Sequence, residues 1–364
     1  MKKILAVAVA AAFVSGAAAA ADVEVYGVVD TGLVYSRTTG NHIEKSDTFS
    51  MDTGVNAGSR FGLRGSEDLG NGYAVSFKLE NGFGSDDGTL KQGSRLFGRE
   101  ARVSLETPYA NVSFGRMGAL TSGCGTYDIF MAGADSMDGG YANYIGVNYW
   151  FQRDRYDNMV TIDSAEFAGA KLYAQYSFAN DVVGENGEGS NAREATRYVA
   201  GGATYNIGDL SLVAVVDSVM YKHTALVQPN DSLAVSLGGS YKIDFATVFV
   251  GFQWGQYEKL DLSSLLDVDG AFGYFDGYNV HVGANFDLPC GVLSTSVYYG
   301  DYEASSDSNI DAEKWGVGLM HNYPLSKRTT IYTGVGYQQS ELSGYSYSYR
   351  VKGLDATVGL THKF

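Results

Sequence analysis

Apolar and polar residues alternate with period two along most of this chain, and turn residues break the alternation every 10 to 15 positions. Such alternation marks strands with one apolar and one polar face. In the stretch 23–37, Val25, Val29, Thr31 and Leu33 share one face, while Tyr26, Val28 and Asp30 share the other. The pattern returns at 59–65, where Phe61 and Leu63 oppose Arg60 and Arg64. At the end of the chain Val358, Leu360, His362 and Phe364 fall on one face of a last strand.

The breaks come in two kinds. Short turns are predicted near 67–72, 107–111, 167–170, 206–209, 243–246, 287–291 and 324–329. Longer loops are predicted near 38–56, 84–94, 118–155, 181–195, 223–231, 258–277, 304–312 and 341–348. Seven turns and eight loops connect sixteen strands, and short turns at one end with long loops at the other are the mark of an outer-membrane barrel. About 10 residues of tilted strand suffice to cross a bilayer, and sixteen strands leave an aqueous lumen. The expected fold is all-β, a 16-stranded antiparallel transmembrane β-barrel. One stretch departs from the alternation. Residues Gly118 to Arg155 run through small residues and then an aromatic and charged segment. Long loops in ordered domains are usually functional, so this one is expected to fold into the barrel and narrow its lumen.

Residues 1–21 read as an export signal, with Lys2 and Lys3 ahead of an apolar run and small residues before a cut after Ala20 or Ala21. Residues 22–364 form one domain, without a linker or composition break. The longest later apolar run, Leu210 to Val216, stops at Asp217, far short of a spanning helix. A membrane protein without helical spans must be a closed barrel; on this ground alone a soluble secreted β-protein stays open. Composition favours the barrel: 47 Gly, 27 Tyr and 18 Phe against 4 Pro supply strand and turn formers and few strand breakers. The formal charge of −15 becomes −17 once Lys2 and Lys3 are removed, which disfavours nucleic acid as a partner. Many acids fall in loop-like stretches, among them Asp86, Asp87, Glu185, Glu188, Asp301, Glu303 and Asp307. Cys124 and Cys290 are expected at opposite ends of the barrel, too far apart for the ~7 Å a disulfide allows.

The motifs Val25-Tyr26-Gly27-Val28-Val29-Asp30, Ser59 to Gly70 and Arg95-Leu96-Phe97-Gly98-Arg99 resemble the general porins of Gram-negative bacteria, above all the Neisseria and betaproteobacterial group. Phe114-Gly115-Arg116, Tyr156-Asp157-Asn158, Leu325 to Thr329 and the ending His362-Lys363-Phe364 continue the likeness from end to end. The resemblance implies a homotrimer in the outer membrane, surrounded by lipid and lipopolysaccharide. It also implies a third external loop turned inward, passive diffusion of ions and small hydrophilic solutes, and no cofactor or metal. The interior of 118–155 departs from the family pattern.

A pore discriminates by its width and by charge on its wall. Lipid-facing charges cost ~2–4 kcal/mol near mid-membrane, so Arg60 and Arg64 are expected to face the lumen. Arg99 matches the family's next lumenal arginine, and Arg116 is expected to extend the column. Asp128, Asp135 and Asp138 from the loop are expected to face them, with Asp30 and Asp163 on lumenal strand faces. The plainer alternative is that these arginines only pin the loop. Glu100 and Arg102 have the wrong parity for the lumen if Arg99 is lumenal. The aromatics Tyr127, Phe130, Tyr141, Tyr144, Tyr149 and Trp150 keep open a substrate-specific sugar or anion channel. Asp267-Val268-Asp269-Gly270 looks like part of a calcium loop but lacks the later ligands. No nucleophile elbow, zinc-protease or phosphate-loop motif is present. A barrel lipase using His281 is the enzyme alternative, and no serine partner stands out for it.

Overall fold

A computed structural model describes residues 22–364 except 139, 146–150, 179–194, 224–228 and 262–271. The export signal, Glu185, Glu188, Tyr149, Trp150 and the calcium-like fragment at 267–270 lie outside the described residues. The chain opens with β1 (Asp22–Gly40), β2 (Ser46–Thr53), β3 (Arg60–Gly70), β4 (Tyr73–Gly82), β5 (Glu100–Glu106) and β6 (Ala110–Gly118). Two short helical turns, α1 (Phe130–Ala134) and α2 (Tyr141–Tyr144), precede β7 (Arg155–Ser164). There follow β8 (Ala170–Ser177), β9 (Arg197–Ile207), β10 (Leu210–Met220), β11 (Leu233–Ile243) and β12 (Ala246–Asp261). The last five are β13 (Phe272–Leu288), β14 (Gly291–Ala304), β15 (Asp307–Pro324), β16 (Thr329–Gly344) and β17 (Tyr347–Lys363).

From β3 to β17 each strand pairs antiparallel with the next, and β17 returns to β1 over Val28↔Lys363 to Gly40↔Val351. The final residue seals this seam: Gly27 N donates to Phe364 O at 3.1 Å and Phe364 N to Gly27 O at 3.0 Å. The result is a closed sixteen-stranded antiparallel barrel with one extra strand.

The extra strand is β2, within the predicted loop 38–56. Only the first part of β1, Asp22 to Val28, pairs with β3. Above it the edge of β1 would be open, and β2 covers it from Thr31↔Thr53 to Thr38↔Ser46, which satisfies backbone groups that an edge leaves bare. Two other predicted loops are also strand. β14 and β15 are separated only by residues 305–306, and β16 and β17 only by 345–346. In place of loops at 304–312 and 341–348 these hairpins continue their ladders to Ala304↔Asp307 and Gly344↔Tyr347. The seven short turns fall where the sequence predicts them.

The wall is inverted relative to a soluble protein. Val216, Leu237, Phe252, Val282, Val297, Leu319, Val335 and Val358 are exposed, whereas Asp217, Ser236, Gln253, His281 and Ser296, each next to one of the first five, are buried. Apolar side chains outside and polar ones inside are what a barrel solvated by lipid requires, and a soluble sandwich has no use for them. Among the described residues no helix is long and apolar enough to cross a membrane.

The described residues of 119–145 lie against the inner face. Phe130, Met131, Ala134, Tyr141 and Ile145 form one buried cluster with the inward Val213 and Val215 of β10, Tyr298 of β14, Met320 of β15 and Tyr332 of β16. Glycines on the wall make room for this approach. A Cβ at Gly238 would strike Ala134, one at Gly283 would strike Ser136, and one at Gly336 would strike Ile145. At Gly334 it would lie 2.9 Å from Tyr141, and at Gly318 3.1 Å from Met137.

Candidate functional site

The charged wall follows from strand register. Arg64 of β3 pairs with Lys78 of β4, and Lys78 with Arg102 of β5; one step further on the same face, Gly62, Glu80 and Glu100 are partners. Cross-strand partners share a face, so five charged side chains converge on the lumen. Glu80 is their hub. It accepts from Arg99 Nε at 2.7 Å and from the Tyr26 hydroxyl at 2.8 Å, with Lys78 Nζ at 3.5 Å and Arg60 Nε at 3.9 Å. Glu100 is fully buried and accepts from Lys78 Nζ at 2.8 Å and Arg102 Nε at 2.6 Å. Arg64 stands more exposed, paired with Glu24 at 2.8 Å.

The parity expectation for Glu100 and Arg102 is thereby corrected: both face inward. β5 begins only at Glu100, so Arg99 precedes the regular ladder and reaches the same side from outside the alternation. Arg116 is also corrected. It pairs with Ala101, whose neighbours Glu100 and Arg102 face inward, and both its own flanking residues, Gly115 and the buried Met117, lie on the inner side. Arg116 therefore turns to the outer face, where its Nη1 donates to Asp157 at 2.8 Å and its Nε to Gly98 O at 2.8 Å. Arg95 meets the same Asp157 carboxylate at 2.8 Å. The column ends before Arg116.

The loop acids separate into two roles. Asp135 does not face the arginines: it is buried, accepts from the Tyr298 hydroxyl at 2.9 Å, and lies 3.8 Å from His281 Nε2. It is an anchor to the far wall, held there because its neighbours Ala134 and Ser136 sit in the glycine bed. Ser136 lies 3.5 Å from His281, but its hydroxyl donates to Thr295 O at 2.7 Å and both residues are buried, an arrangement of packing rather than of an accessible nucleophile. Asp128 and Asp138 line a cavity of about 660 Å³ together with Arg60, Lys78, Glu80, Arg99 and Arg155. Burial and the neighbouring Asp138 carboxyl push the Asp128 carboxyl well above its ordinary range. Burial, then Asp135, pushes Asp138 up. Asp30 and Asp163 are inward and buried rather than open to the lumen. Asp30 accepts from Thr361 at 2.5 Å and Tyr332 at 3.1 Å, and Asp163 meets Lys171 Nζ at 2.7 Å.

Two arginines escaped the sequence reading as site residues. Arg153 is buried between Asp217 and Glu258, at 2.5 Å and 2.6 Å, and ties the loop's return leg to β10 and β12. Arg155, at the start of β7, lines the cavity. Both stand in the charged run after Trp150, but only the fold brings Arg153 its partners, which lie 64 and 105 positions away. Tyr127, Phe130 and Tyr141 are buried, and Tyr144 half-buried, in the cluster that joins the loop to the wall. Cys124 and Cys290 are free thiols.

The family model of the Gram-negative porin matches residues 6–342. This chain belongs to the Gram-negative porin family. The porin is 31% identical over 405 residues to an outer membrane porin protein of Bordetella pertussis, with all of both chains covered. It is 26% identical over 360 residues to the major outer membrane protein P.IB of Neisseria meningitidis, covering 95% of this chain and 96% of the relative. Among solved structures, the anion-selective porin from Comamonas acidovorans overlays with a TM-score of 0.64 at 23% identity, over 94% of this chain and all of that one. The resemblance read from the motifs is thus shown, and the porin is an outer-membrane channel protein for passive diffusion.

Proposed function

We propose that this porin is a general diffusion channel, used as a homotrimer in a membrane of lipid and lipopolysaccharide. Ions and small hydrophilic solutes pass down their gradients where residues 118–155 narrow the lumen, between a basic wall and an acidic loop edge. One observation carries the reading: Arg60, Arg99 and Arg155 share a single cavity with Asp128 and Asp138. Charges facing one another across a gap select by sign and orientation. Arg64 with Lys78 and Arg102 extends the basic wall beyond that cavity; these three line a second recess with Glu24.

The test is the current through the refolded protein in a planar bilayer under a salt gradient. Stepwise openings in threes support the trimer, and Arg60→Ala and Arg99→Ala should each shift the reversal potential towards cations. Correctly folded protein without ohmic conductance would refute the pore. A channel selective for anions is the second reading. It is favoured by the small excess of cations at the cavity, four arginines and Lys78 against four acids, and by the anion-selective porin whose fold this chain shares. A reversal potential at the anion limit, with flux independent of solute size, would favour it.

A further inference from the structure

The cavity brings together a guanidinium whose bonding is incomplete and a pair of acids, one of them accepting from Met131 N at 3.3 Å, that has no cation among the described ion pairs. Arg155 is only 9% exposed; its Nη1 donates to Asp154 at 3.1 Å, but its Nε is buried without a hydrogen-bond partner. A buried donor left unmatched is costly, so this guanidinium edge calls for an acceptor. Asp128 and Asp138 stand close enough to interact, and among the described ion pairs neither has a cation. Two carboxylates at such range oppose each other's ionisation, and an ammonium between them would relieve that. Arg153 also borders the cavity, but Asp217 and Glu258 already occupy it. A volume of about 660 Å³ suits a small organic solute.

We propose that this cavity is a saturable binding locus for small amino carboxylates, with the ammonium held by Asp128 and Asp138 and the carboxylate by Arg155. The proposal rests on the general-channel reading and goes beyond it: passage is not only sieved by size but delayed by recognition of both ends of one molecule. A solute with a single charge satisfies one side and leaves the other unmatched.

The experiment measures ion conductance of the full, refolded chain while γ-aminobutyrate, butyrate, butylammonium or glucose is added. Expected is a saturating block by γ-aminobutyrate, with a half-blocking concentration about tenfold below those of butyrate and butylammonium, the equivalent of one further charge-assisted bond. Asp128→Asn should remove the advantage over butyrate, and Arg155→Gln the advantage over butylammonium. Equal block by butyrate and γ-aminobutyrate in the unaltered protein would overturn the proposal and leave an anion site. Block that rises only linearly for every solute would overturn it too, with the channel reading intact. Absence of any conductance would instead remove the channel reading beneath it.

Discussion

On β3, β4 and β5 the inward positions carry Arg60, Arg64, Lys78, Glu80, Glu100 and Arg102, whereas on β11, β13, β15 and β16 the inward positions include Gly238, Gly283, Gly318, Gly334 and Gly336. The first wall projects long charged side chains, which hold water and one another. At these positions the second wall projects nothing, and loop side chains such as Ser136 and Ile145 move into the space. One barrel thus has a dry half, where loop and wall pack as an ordinary apolar core, and a wet half, where open volume remains. The sidedness comes from side-chain size as much as from charge.

The largest effect on this contrast is expected at the loop's return leg. Arg153→Ala leaves Asp217 and Glu258 buried and unmatched, and breaking such a pair costs ~3–5 kcal/mol. Thermal unfolding in detergent should fall steeply, and limited proteolysis should then cut within 118–155. Next comes the glycine bed: Gly336→Leu places a side chain where Ile145 sits, with an overpacking cost of ~1–3 kcal/mol. A rise in single-channel conductance would show the loop displaced from its seat; unchanged conductance and stability would count against the seat. Tyr298→Phe removes the hydroxyl from Asp135 and should cost ~1–3 kcal/mol for the acceptor left behind, read by the same unfolding assay.

A smaller effect sharpens the wet half. Because burial and mutual proximity raise the Asp128 and Asp138 carboxyls, lowering pH protonates them before ordinary carboxylates. Negative charge is lost from the loop edge, so the reversal potential should move towards anions, beginning above the usual carboxylate range. Asp128→Asn with Asp138→Asn should abolish that early step. At the bottom of the scale, Arg64→Ala breaks an exposed pair with Glu24 and should change stability by ~0–1 kcal/mol.

Much of this was legible beforehand. Period-two alternation and the seven tight turns, set against longer loops, pointed to a closed barrel. Arg60 and Arg64 could be read as lumenal because their neighbours Phe61 and Leu63 are apolar, and Arg99 from the family likeness. Parity failed where the ladder is irregular, since Arg99 lies just before β5; Arg116, in register with Ala101, shares the outward face of Phe114, and the family likeness misplaced it. Length failed at the hairpin tips, because polar residues near 304–312 and 341–348 read as loop although both strands stay paired to their ends.

The sequence by itself determined which face of each strand meets lipid, since the cost of apolar and charged groups in the two solvents repeats at every second residue. It also determined that 118–155 stands outside that code. Only the tertiary structure decided where this loop rests and which of its acids face the arginines. Those contacts join Ala134 to Gly238, Asp135 to Tyr298 and Arg153 to Glu258. Such pairs are distant in the chain and carry no periodic signal; closure of the barrel is what brings them together.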